Sequence, residues 1–329
     1  MDTIIVGLGS MGCRRARLIK KMDESINIIG IDSNQERREK AEAELGIVTE
    51  DSIGKACEKY ECEAAIISTS PLSHSSIINE CLKNNLHVFT ELNLVDDGYD
   101  ENIELAARMK KVLFLSSTFM YRKEVEYIKG EALKHSKPIS YIYHVGQYLP
   151  DWHPWESYKN FFVGDKRTNG CRELMAIEFP WLVDVFGDIR SYKWVKSKNS
   201  TLDIDYADSF QILFQHKNGN KGMVEIDVIS RKAERRFEMF GEDVFVTWDG
   251  TPETLFKYDI SKKESEKVNL YDEYSRKEGY ASFIIEDAYY NELVNFFDSI
   301  RGKDSPKYSF EKDKEIINMI NKIEEDDND

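Results

Sequence analysis

The stretch from Ile4 to Gly12, Ile-Ile-Val-Gly-Leu-Gly-Ser-Met-Gly, decides the fold of the first part of this chain. It places a short apolar run directly before a Gly-x-Gly-x-x-Gly pattern. Asp32 follows twenty residues after Gly12, at the end of a second apolar run over 28–31. Strand, glycine turn, helix, second strand and acid in this order are typical of the first β-α-β unit of a dinucleotide-binding sheet.

Each glycine of the pattern has a separate physical role. Gly7 permits the tight turn, Gly9 lets the backbone approach a pyrophosphate, and Gly12 lets the helix pack close to the strand. The helix begins around Ser10 and Met11, where free N–H groups and a partial positive charge attract phosphates. The pattern therefore predicts a phosphate-binding turn formed by Gly7, Gly9, Ser10, Met11 and Gly12.

The acid after the second run indicates which dinucleotide binds. A carboxylate at Asp32, with Ser33 beside it, accepts hydrogen bonds from the adenosine ribose and repels a 2′-phosphate. The sequence therefore favours NAD over NADP. The alternative is an ordinary strand–turn–helix whose glycines serve packing only, and that alternative leaves the position of Asp32 unexplained.

Composition limits the class of protein. A chain of 329 residues with 41% hydrophobic residues is long enough for two domains. The net charge of −15 argues against binding to nucleic acid or anionic membranes. No apolar run is long enough to span a membrane, and a strand that begins by residue 3 leaves no room for a signal peptide. Five cysteines without paired or metal-ligand spacing indicate reduced thiols, no metal site and a cytoplasmic protein: Cys13, Cys57, Cys62, Cys81 and Cys171.

The first 120 residues alternate between two periodicities. The apolar runs lie at 3–6, 26–31, 64–67, 86–90 and 112–115, and the helical stretches at 11–21, 34–45, 51–59, 73–84 and 98–110. This alternation predicts right-handed β-α-β units in an α/β, doubly wound parallel sheet of the Rossmann type over residues 1–120.

After residue 120 the pattern changes to alternating strands. Strands are expected at 139–148, 210–216, 222–229, 237–240 and 244–248, and helices at 122–135, 171–186, 281–300 and 309–323. Asn218-Gly219-Asn220 is a hairpin turn signal. We therefore expect residues 121–329 to form an α+β domain for substrate binding and oligomerisation. Its mostly antiparallel sheet would be open on one face, with 261–278 an exposed excursion of low order.

Small polar residues follow the later apolar runs of the first domain. Ligands bind beyond the carboxyl ends of parallel strands, so these residues are candidates to line the dinucleotide site. Loop capping is the alternative for any one of them. The candidates are Thr69, Ser70, Pro71, His74, Glu91 and Asn93.

Together these segments resemble the glucose–fructose oxidoreductase/inositol dehydrogenase (Gfo/Idh/MocA) family over nearly the whole chain. Ser70-Pro71 with His74, and the run from His87 to Glu91, carry the resemblance. The run 147–156 is similar to a subgroup associated with bacterial surface-sugar gene clusters. The resemblance implies reversible oxidation of a carbinol of a sugar, sugar acid or nucleotide-sugar, with hydride passing to the nicotinamide. It also implies dimers or tetramers built through the open sheet face.

The chain departs from the family where protons are handled. Leu92 stands where the family has lysine, and Ile177 stands where it has histidine. The family's aspartate, four residues earlier, is Glu173, and a shift of one residue would put Glu178 in the histidine's place. Oxidation of an alcohol requires a base, and neither leucine nor isoleucine can accept a proton.

Three other residues are candidates for that base. His153 lies in the loop after the first strand of the second domain, which we expect to face the substrate, and histidine titrates near neutral pH. Glu173 and Glu178 follow, because burial against apolar neighbours raises a carboxyl pKa. The alternatives are an aromatic-packed structural histidine and helix-dipole or ion-pair roles for the two acids, for instance with Arg172.

Candidate substrate contacts lie in the same region. An aromatic cluster could form a sugar-stacking wall, ordinary core or a subunit interface, and it includes Trp152, Trp155 and Tyr158. Arg122 and Arg172 could reach substrate hydroxyls or a carboxylate, with an interdomain ion pair the alternative for Arg122.

The missing lysine and histidine leave further functions open. One is a degenerate paralogue that binds NAD without turnover, as a sensor or partner subunit. Another is redox-cycling lyase or glycosidase chemistry with tightly held NAD, which no feature of the sequence selects.

Overall fold

A computed structural model describes residues 1–154, 156–274 and 284–325. Trp155 and the first residues of the helix expected from 281 lie outside the described residues. Contacts divide the chain into two units, Met1–Thr118 with Ala288–Glu315 and Phe119–Asp287 with Ile316–Asp329.

The first unit is built on a parallel sheet of the predicted Rossmann type. Its six strands follow the order β3-β2-β1-β4-β5-β6, so the chain changes direction across the sheet between β1 and β4. Residues such as Ile4, Ile66 and Phe89 are fully buried because helices cover both faces. The strands are β1 (Asp2–Val6), β2 (Asn27–Ile31), β3 (Val48–Glu50), β4 (Cys62–Ile67), β5 (His87–Thr90) and β6 (Leu113–Leu115); the helices are α1 (Ser10–Met22), α2 (Gln35–Leu45), α3 (Ile53–Lys59), α4 (His74–Lys83) and α5 (Tyr99–Met109).

The first unit contains more of the chain than the expected domain of residues 1–120. It also contains most of α8 (Glu286–Ile300) and the start of α9 (Phe310–Glu325). Phe296 of α8 makes edge contacts at 5.6 Å with Phe89 and with Phe114, and the Tyr99 hydroxyl donates to Asp313 of α9 at 2.5 Å. Through these ring contacts and this hydrogen bond, helices from the C-terminal part of the chain pack in the unit that contains the Rossmann sheet.

The second unit contains the predicted, mostly antiparallel sheet. Its order is β14-β13-β12-β11-β7-β10-β9-β8, and only β7 and β10 pair in parallel among the described strands. The members are β7 (Ser140–Gly146), β8 (Ile189–Ser197), β9 (Ser209–His216), β10 (Lys221–Asp227), β11 (Glu234–Phe240), β12 (Phe245–Trp248), β13 (Phe256–Asp259) and β14 (Glu264–Lys267), with α6 (Lys123–Leu133) and α7 (Gly170–Phe186).

One face of this sheet is covered and the other is exposed. On the covered face, Phe186 of α7 stacks on Tyr141 at 4.1 Å, and Trp181 contacts Tyr143 edge-on at 5.4 Å. The opposite face, which we name the open face, presents apolar side chains on neighbouring strands. The exposed fractions are 36% for Ile142, 66% for Val195, 56% for Leu213 and 47% for Met223.

One expectation for the second unit is wrong in part. Within the expected low-order excursion over 261–278, residues Glu264–Lys267 form strand β14, which pairs with β13. All four residues of β14 are exposed, so the strand is held by its hydrogen-bond ladder and not by burial. Residues 275–278 lie outside the described part of the chain.

Across the described ranges, every helix is too short or too polar to span a bilayer.

Candidate functional site

The glycine turn combines two closed positions with one open position. Gly7 has a φ of +93°, and a Cβ there would lie 2.6 Å from the Ser68 carbonyl oxygen. A Cβ at Gly12 would lie 1.8 Å from the Gly7 carbonyl oxygen, whereas a Cβ at Gly9 would meet nothing within 4 Å. Gly7 and Gly12 are therefore required by packing. Gly9 instead leaves open space beside the first turn of α1.

Asp32 joins the end of β2 to this turn. Its carboxylate accepts hydrogen bonds from the backbone N–H of Leu8 and of Asn34, both at 2.9 Å. Arg37 lies 3.7 Å from the carboxylate and is largely exposed, and Arg38 donates to the Asp32 carbonyl oxygen at 2.7 Å. The two guanidinium groups reduce the repulsion that Asp32 exerts on a second anion.

His74 fixes the segments after β4 and β5. The buried ring lies 2.6 Å from the Asn93 Oδ1 through Nδ1 and 3.1 Å from the Thr69 carbonyl oxygen through Nε2. Burial lowers the pKa of His74, so the ring is neutral at physiological pH. Pro71 is buried, whereas Ser70 is exposed. His74 therefore holds Thr69 and Asn93 in position, while Ser70 stays accessible.

Glu91 belongs to a buried ion-pair network. Arg15 of α1 donates to both carboxylate oxygens of Glu91, at 2.6 and 3.0 Å, and to Glu292 of α8 at 2.7 Å. Glu292 also accepts from the Ser117 backbone N–H at 2.7 Å. Leu92 is half-buried beside this network. Sequence reasoning missed Arg15 and Glu292, although an arginine pair on the helix after the glycine turn was a usable signal.

His153 lies on an exposed loop of the second unit. Its Nδ1 is 2.9 Å from the Glu156 carboxylate, its side chain is 40% exposed, and its ring stacks on Phe161 at 4.3 Å. The surroundings are those of an aromatic-packed surface histidine, which was the structural alternative for this residue.

Glu178 is fully buried, and both of its carboxylate oxygens accept hydrogen bonds. Its carboxylate accepts from Arg235 at 3.0 Å, from the Tyr143 hydroxyl at 2.8 Å and from the Trp181 indole at 2.7 Å. A carboxylate fixed by three donors in the core has a structural role. These contacts favour the structural alternative for Glu178, and its catalytic role stays a prediction.

Glu173, in the first turn of α7, has the opposite surroundings. Its Oε2 is buried and has no hydrogen-bond partner in the described part of the chain. Burial raises the pKa of Glu173 to about 7, and nearby Arg235 opposes this rise. Ile177 lies one turn further along the helix and is half-buried. Glu173 is therefore a carboxyl group able to exchange a proton near neutral pH.

The two candidate substrate arginines are bound within their own unit. Arg122 donates to Glu124 at 2.7 Å and to the Gly250 carbonyl oxygen at 3.1 Å. Arg172 forms an ion pair with Glu324 of α9. Both arginines are buried, and substrate binding by either of them stays a prediction.

Two members of the expected aromatic cluster, Trp152 and Tyr158, make separate contacts within the second unit. The Trp152 indole donates to the Gln147 carbonyl oxygen at 3.1 Å, and its ring lies against the start of α7 at Gly170. The Tyr158 hydroxyl accepts from the Asp203 backbone N–H at 3.2 Å. The Trp155 prediction lies outside the described residues. Of these side chains, Trp152 is placed beside the helical turn that carries Glu173.

Comparison with known proteins gives the context of these two units. Residues 1–116 match the model of an oxidoreductase family with an NAD-binding Rossmann fold. The chain is 24% identical to myo-inositol 2-dehydrogenase of Thermotoga maritima over 340 aligned residues, which cover 94% of this chain and 91% of that protein.

Solved structures resemble the chain over nearly its whole length. A levoglucosan dehydrogenase in complex with NADH has a TM-score of 0.80 at 13% identity, covering 98% of this chain and 95% of that one. The WlbA dehydrogenase of Bordetella pertussis, in complex with NADH and UDP-GlcNAcA, has a TM-score of 0.74 at 12% identity with the same coverage. At these identities the likeness concerns the fold.

Two glycine substitutions separate packing from binding in the turn. We expect Gly12→Ala to lower the melting temperature, because its methyl group overlaps the Gly7 carbonyl, and Gly9→Ala to leave it unchanged. Gly9→Ala should instead weaken NADH binding at least tenfold by filling the phosphate space. Differential scanning fluorimetry and calorimetry with NADH measure both effects. Gly54→Ala, an open position on α3, is the control. Unchanged NADH affinity in Gly9→Ala would contradict this assignment.

Proposed function

This chain belongs to the Gfo/Idh/MocA oxidoreductase family, and from that premise we propose that it is an NAD-dependent oxidoreductase acting on a carbinol of a sugar, sugar acid or nucleotide-sugar. The observation that carries the proposal is the open position at Gly9 between the closed positions Gly7 and Gly12, next to the acid Asp32. The relatives named above, which act on or bind inositol, levoglucosan and UDP-GlcNAcA, support the substrate class.

The residues of the first unit fit a bound dinucleotide. Gly9, Ser10 and Met11 would hold the pyrophosphate, and Asp32 with Ser33 would hold the adenosine ribose. A dinucleotide held by these residues would supply a hydride acceptor for the substrate carbon. Because the Asp32 carboxylate would still repel a 2′-phosphate in spite of the nearby Arg37 and Arg38, we propose that NAD binds more tightly than NADP.

The segments after β4 and β5 would complete the dinucleotide site. Thr69, Ser70 and Asn93 are proposed contacts with the cofactor. Their positions are supported by Pro71, His74 and Glu91, which are held by burial, by hydrogen bonds or by the ion pair with Arg15.

We propose Glu173 as the group that accepts the substrate hydroxyl proton. A base must be deprotonated at working pH and must retain an oxygen to receive the proton. Glu173 meets the second condition through its unpartnered Oε2, and Glu178 does not. His153 ranks below Glu173 because an exposed, Glu156-paired ring has no surroundings that would direct it toward a substrate.

A second candidate function rests on the loss of two family residues. Leu92 and Ile177 cannot transfer protons, so a chain that binds NAD as a sensor or partner subunit keeps the same turn. An oxidoreductase and an NAD-binding sensor would both bind NADH, but only the oxidoreductase would turn over a substrate. A loss of turnover on substitution of Glu173 would therefore favour the oxidoreductase.

The setting of the activity is part of the proposal. The resemblance of the run 147–156 to proteins of surface-sugar gene clusters leads us to propose a role in bacterial surface-sugar biosynthesis. All five cysteines are free, which supports a cytoplasmic location.

We further propose that a second copy of the chain covers the open face. Ile142, Leu213 and Met223 form adjacent exposed apolar positions on that face, and monomeric proteins rarely leave such patches uncovered.

The NAD-binding proposal is tested by titration calorimetry with NADH and NADPH. We expect NADH to bind about tenfold more tightly, which corresponds to about 1.4 kcal/mol. Asp32→Asn should reduce this preference because it removes the charge that repels the 2′-phosphate. Asp100→Asn, at an exposed carboxylate in the first turn of α5, should not. Absence of binding at millimolar nucleotide would overturn the proposed function.

The role of Glu173 is tested by Glu173→Gln in a screen of sugars and sugar acids with NAD. We expect kcat to fall about 100-fold or more, with the NADH dissociation constant unchanged. In the wild type, kcat should fall as pH drops below about 7, the pKa to which burial raises Glu173, because the base becomes protonated. Full turnover in Glu173→Gln would remove Glu173 from the mechanism, and an inactive wild type that binds NADH would favour the sensor.

Stability gives a second measure of Glu173 that needs no substrate. A raised folded-state pKa costs stability as pH rises from the unfolded carboxyl pKa toward about 7. Glu173→Gln should therefore be more stable than the wild type by about 1–2 kcal/mol at pH 8, with the difference disappearing near pH 4. Urea unfolding at both pH values measures this, and Glu264→Gln on exposed β14 is the control.

The association proposal is tested by sedimentation velocity. Leu213→Glu should convert an oligomer into monomers, because a carboxylate would be buried without a partner. Leu133→Glu, at an exposed leucine of α6, should keep the wild-type state. A monomeric wild type would exclude the proposed interface.

A further inference from the structure

Arg231 is an exposed arginine that stacks on an aromatic ring and has no acidic partner among the described residues. Its guanidinium lies over the ring of Tyr148, 3.6 Å from the ring centroid. Within the described ranges it makes no hydrogen bond or ion pair. The stacking restrains the guanidinium while its N–H donors remain available.

Within the described ranges, no carboxylate neutralises Arg231, although acidic side chains are abundant in this chain. Acidic residues outnumber lysine and arginine by 60 to 45. Within the second unit, Arg122, Arg172 and Arg235 are each paired with a glutamate. Lys232, the next residue after Arg231, pairs with Glu234 at 2.9 Å. Arg231 therefore has the donor capacity that its neighbours have already used.

Arg231 lies at the edge of the sheet where β7 and β10 end. These two strands are parallel, so their carboxyl ends meet. Tyr148 follows β7 and Arg231 follows β10. The loops are joined by hydrogen bonds from Gln147 N–H to the Asp227 carbonyl at 3.3 Å and from Leu149 N–H to the Val228 carbonyl at 2.9 Å.

The same edge carries the start of α7. A Cβ at Gly170 would lie 3.0 Å from Leu149, 3.0 Å from Val228 and 3.4 Å from Trp152. The first turn of α7 thus packs directly on the two loops. That turn carries Glu173, whose buried Oε2 has no partner among the described residues, and it contributes the positive end of the helix dipole. A restrained cation and the proposed proton acceptor therefore belong to one edge of the second unit.

We propose that Arg231, held over Tyr148, binds an oxyanion carried by the sugar-type substrate, either a carboxylate or a phosphate. The inference rests on the proposed function and narrows its substrate class to anionic sugars. A planar guanidinium can donate two parallel hydrogen bonds to either group. Because Tyr148 restrains the side chain before binding, less entropy is lost when the anion binds.

The test is titration calorimetry of the full chain with three probes: D-glucuronate, UDP and neutral D-glucose. We expect glucuronate or UDP to bind at least tenfold more tightly than glucose. Glucuronate alone would identify a sugar carboxylate as the recognised group, and UDP alone would identify a nucleotide diphosphate. Equal or absent binding of all three probes would overturn the proposal.

Variants assign the binding to Arg231. Arg231→Ala should weaken the anion at least tenfold, and Arg231→Lys should recover only part of the loss because it cannot bind bidentately. Arg190→Ala removes the same charge from exposed β8 and should have no effect, which controls for net charge. Unchanged affinity in Arg231→Ala would overturn the assignment. NADH titrations of the same samples distinguish this failure from failure of the proposed function, because NADH binding depends on the first unit.

Discussion

The structure of the first unit depends on the absence of a side chain at Gly12. The Gly7 carbonyl oxygen occupies the space that a Cβ at Gly12 would fill, at 1.8 Å. This contact sets α1 directly against the end of β1, so the first helical turn adjoins the open position at Gly9. It also places Arg15, one turn further along α1, within reach of Glu91 and Glu292. One steric constraint thus positions both the phosphate-binding turn and the buried ion-pair network.

That network explains why the fold depends on Glu91. Glu91 is held by two hydrogen bonds from Arg15, and Arg15 is in turn shared with Glu292. Removal of Glu91 would leave a buried cation with one partner fewer, which is costly whatever chemistry the protein performs. Leu92, the next residue, has an apolar, half-buried side chain that cannot form an ion pair. Glu91 is therefore fixed by the fold, whereas the side chain at position 92 is not part of this ion-pair network.

Local sequence patterns predicted the strands and helices that bury apolar side chains. They missed strands near the sheet edges, such as β14, which is held mainly by backbone hydrogen bonds. The fully apolar run in β4 and the hairpin at Asn218-Gly219 were readable because burial and turn geometry restrict their composition. Strands β3, β8, β13 and β14 were not among the predicted strands. They lie toward sheet edges, and β14 is exposed at every residue, so its pairing with β13 leaves no apolar signature. The ion-pair partners of charged residues could not be predicted either, because they can lie far apart in the sequence. Arg172, for example, pairs with Glu324, 152 residues away.

The two acids of α7 show why residue type could not decide the catalytic group. Glu173 and Glu178 are five residues apart, so they project about 140° apart around the helix axis. One direction leads to Arg235, Tyr143 and Trp181, and the carboxylate there is satisfied. The other leads to a buried position where Oε2 has no donor among the described residues and burial raises the carboxyl pKa to about 7. The surroundings of the two carboxyl groups, and not their residue type, therefore distinguish them. Glu173 is the proposed proton acceptor in a chain with leucine at position 92 and isoleucine at position 177.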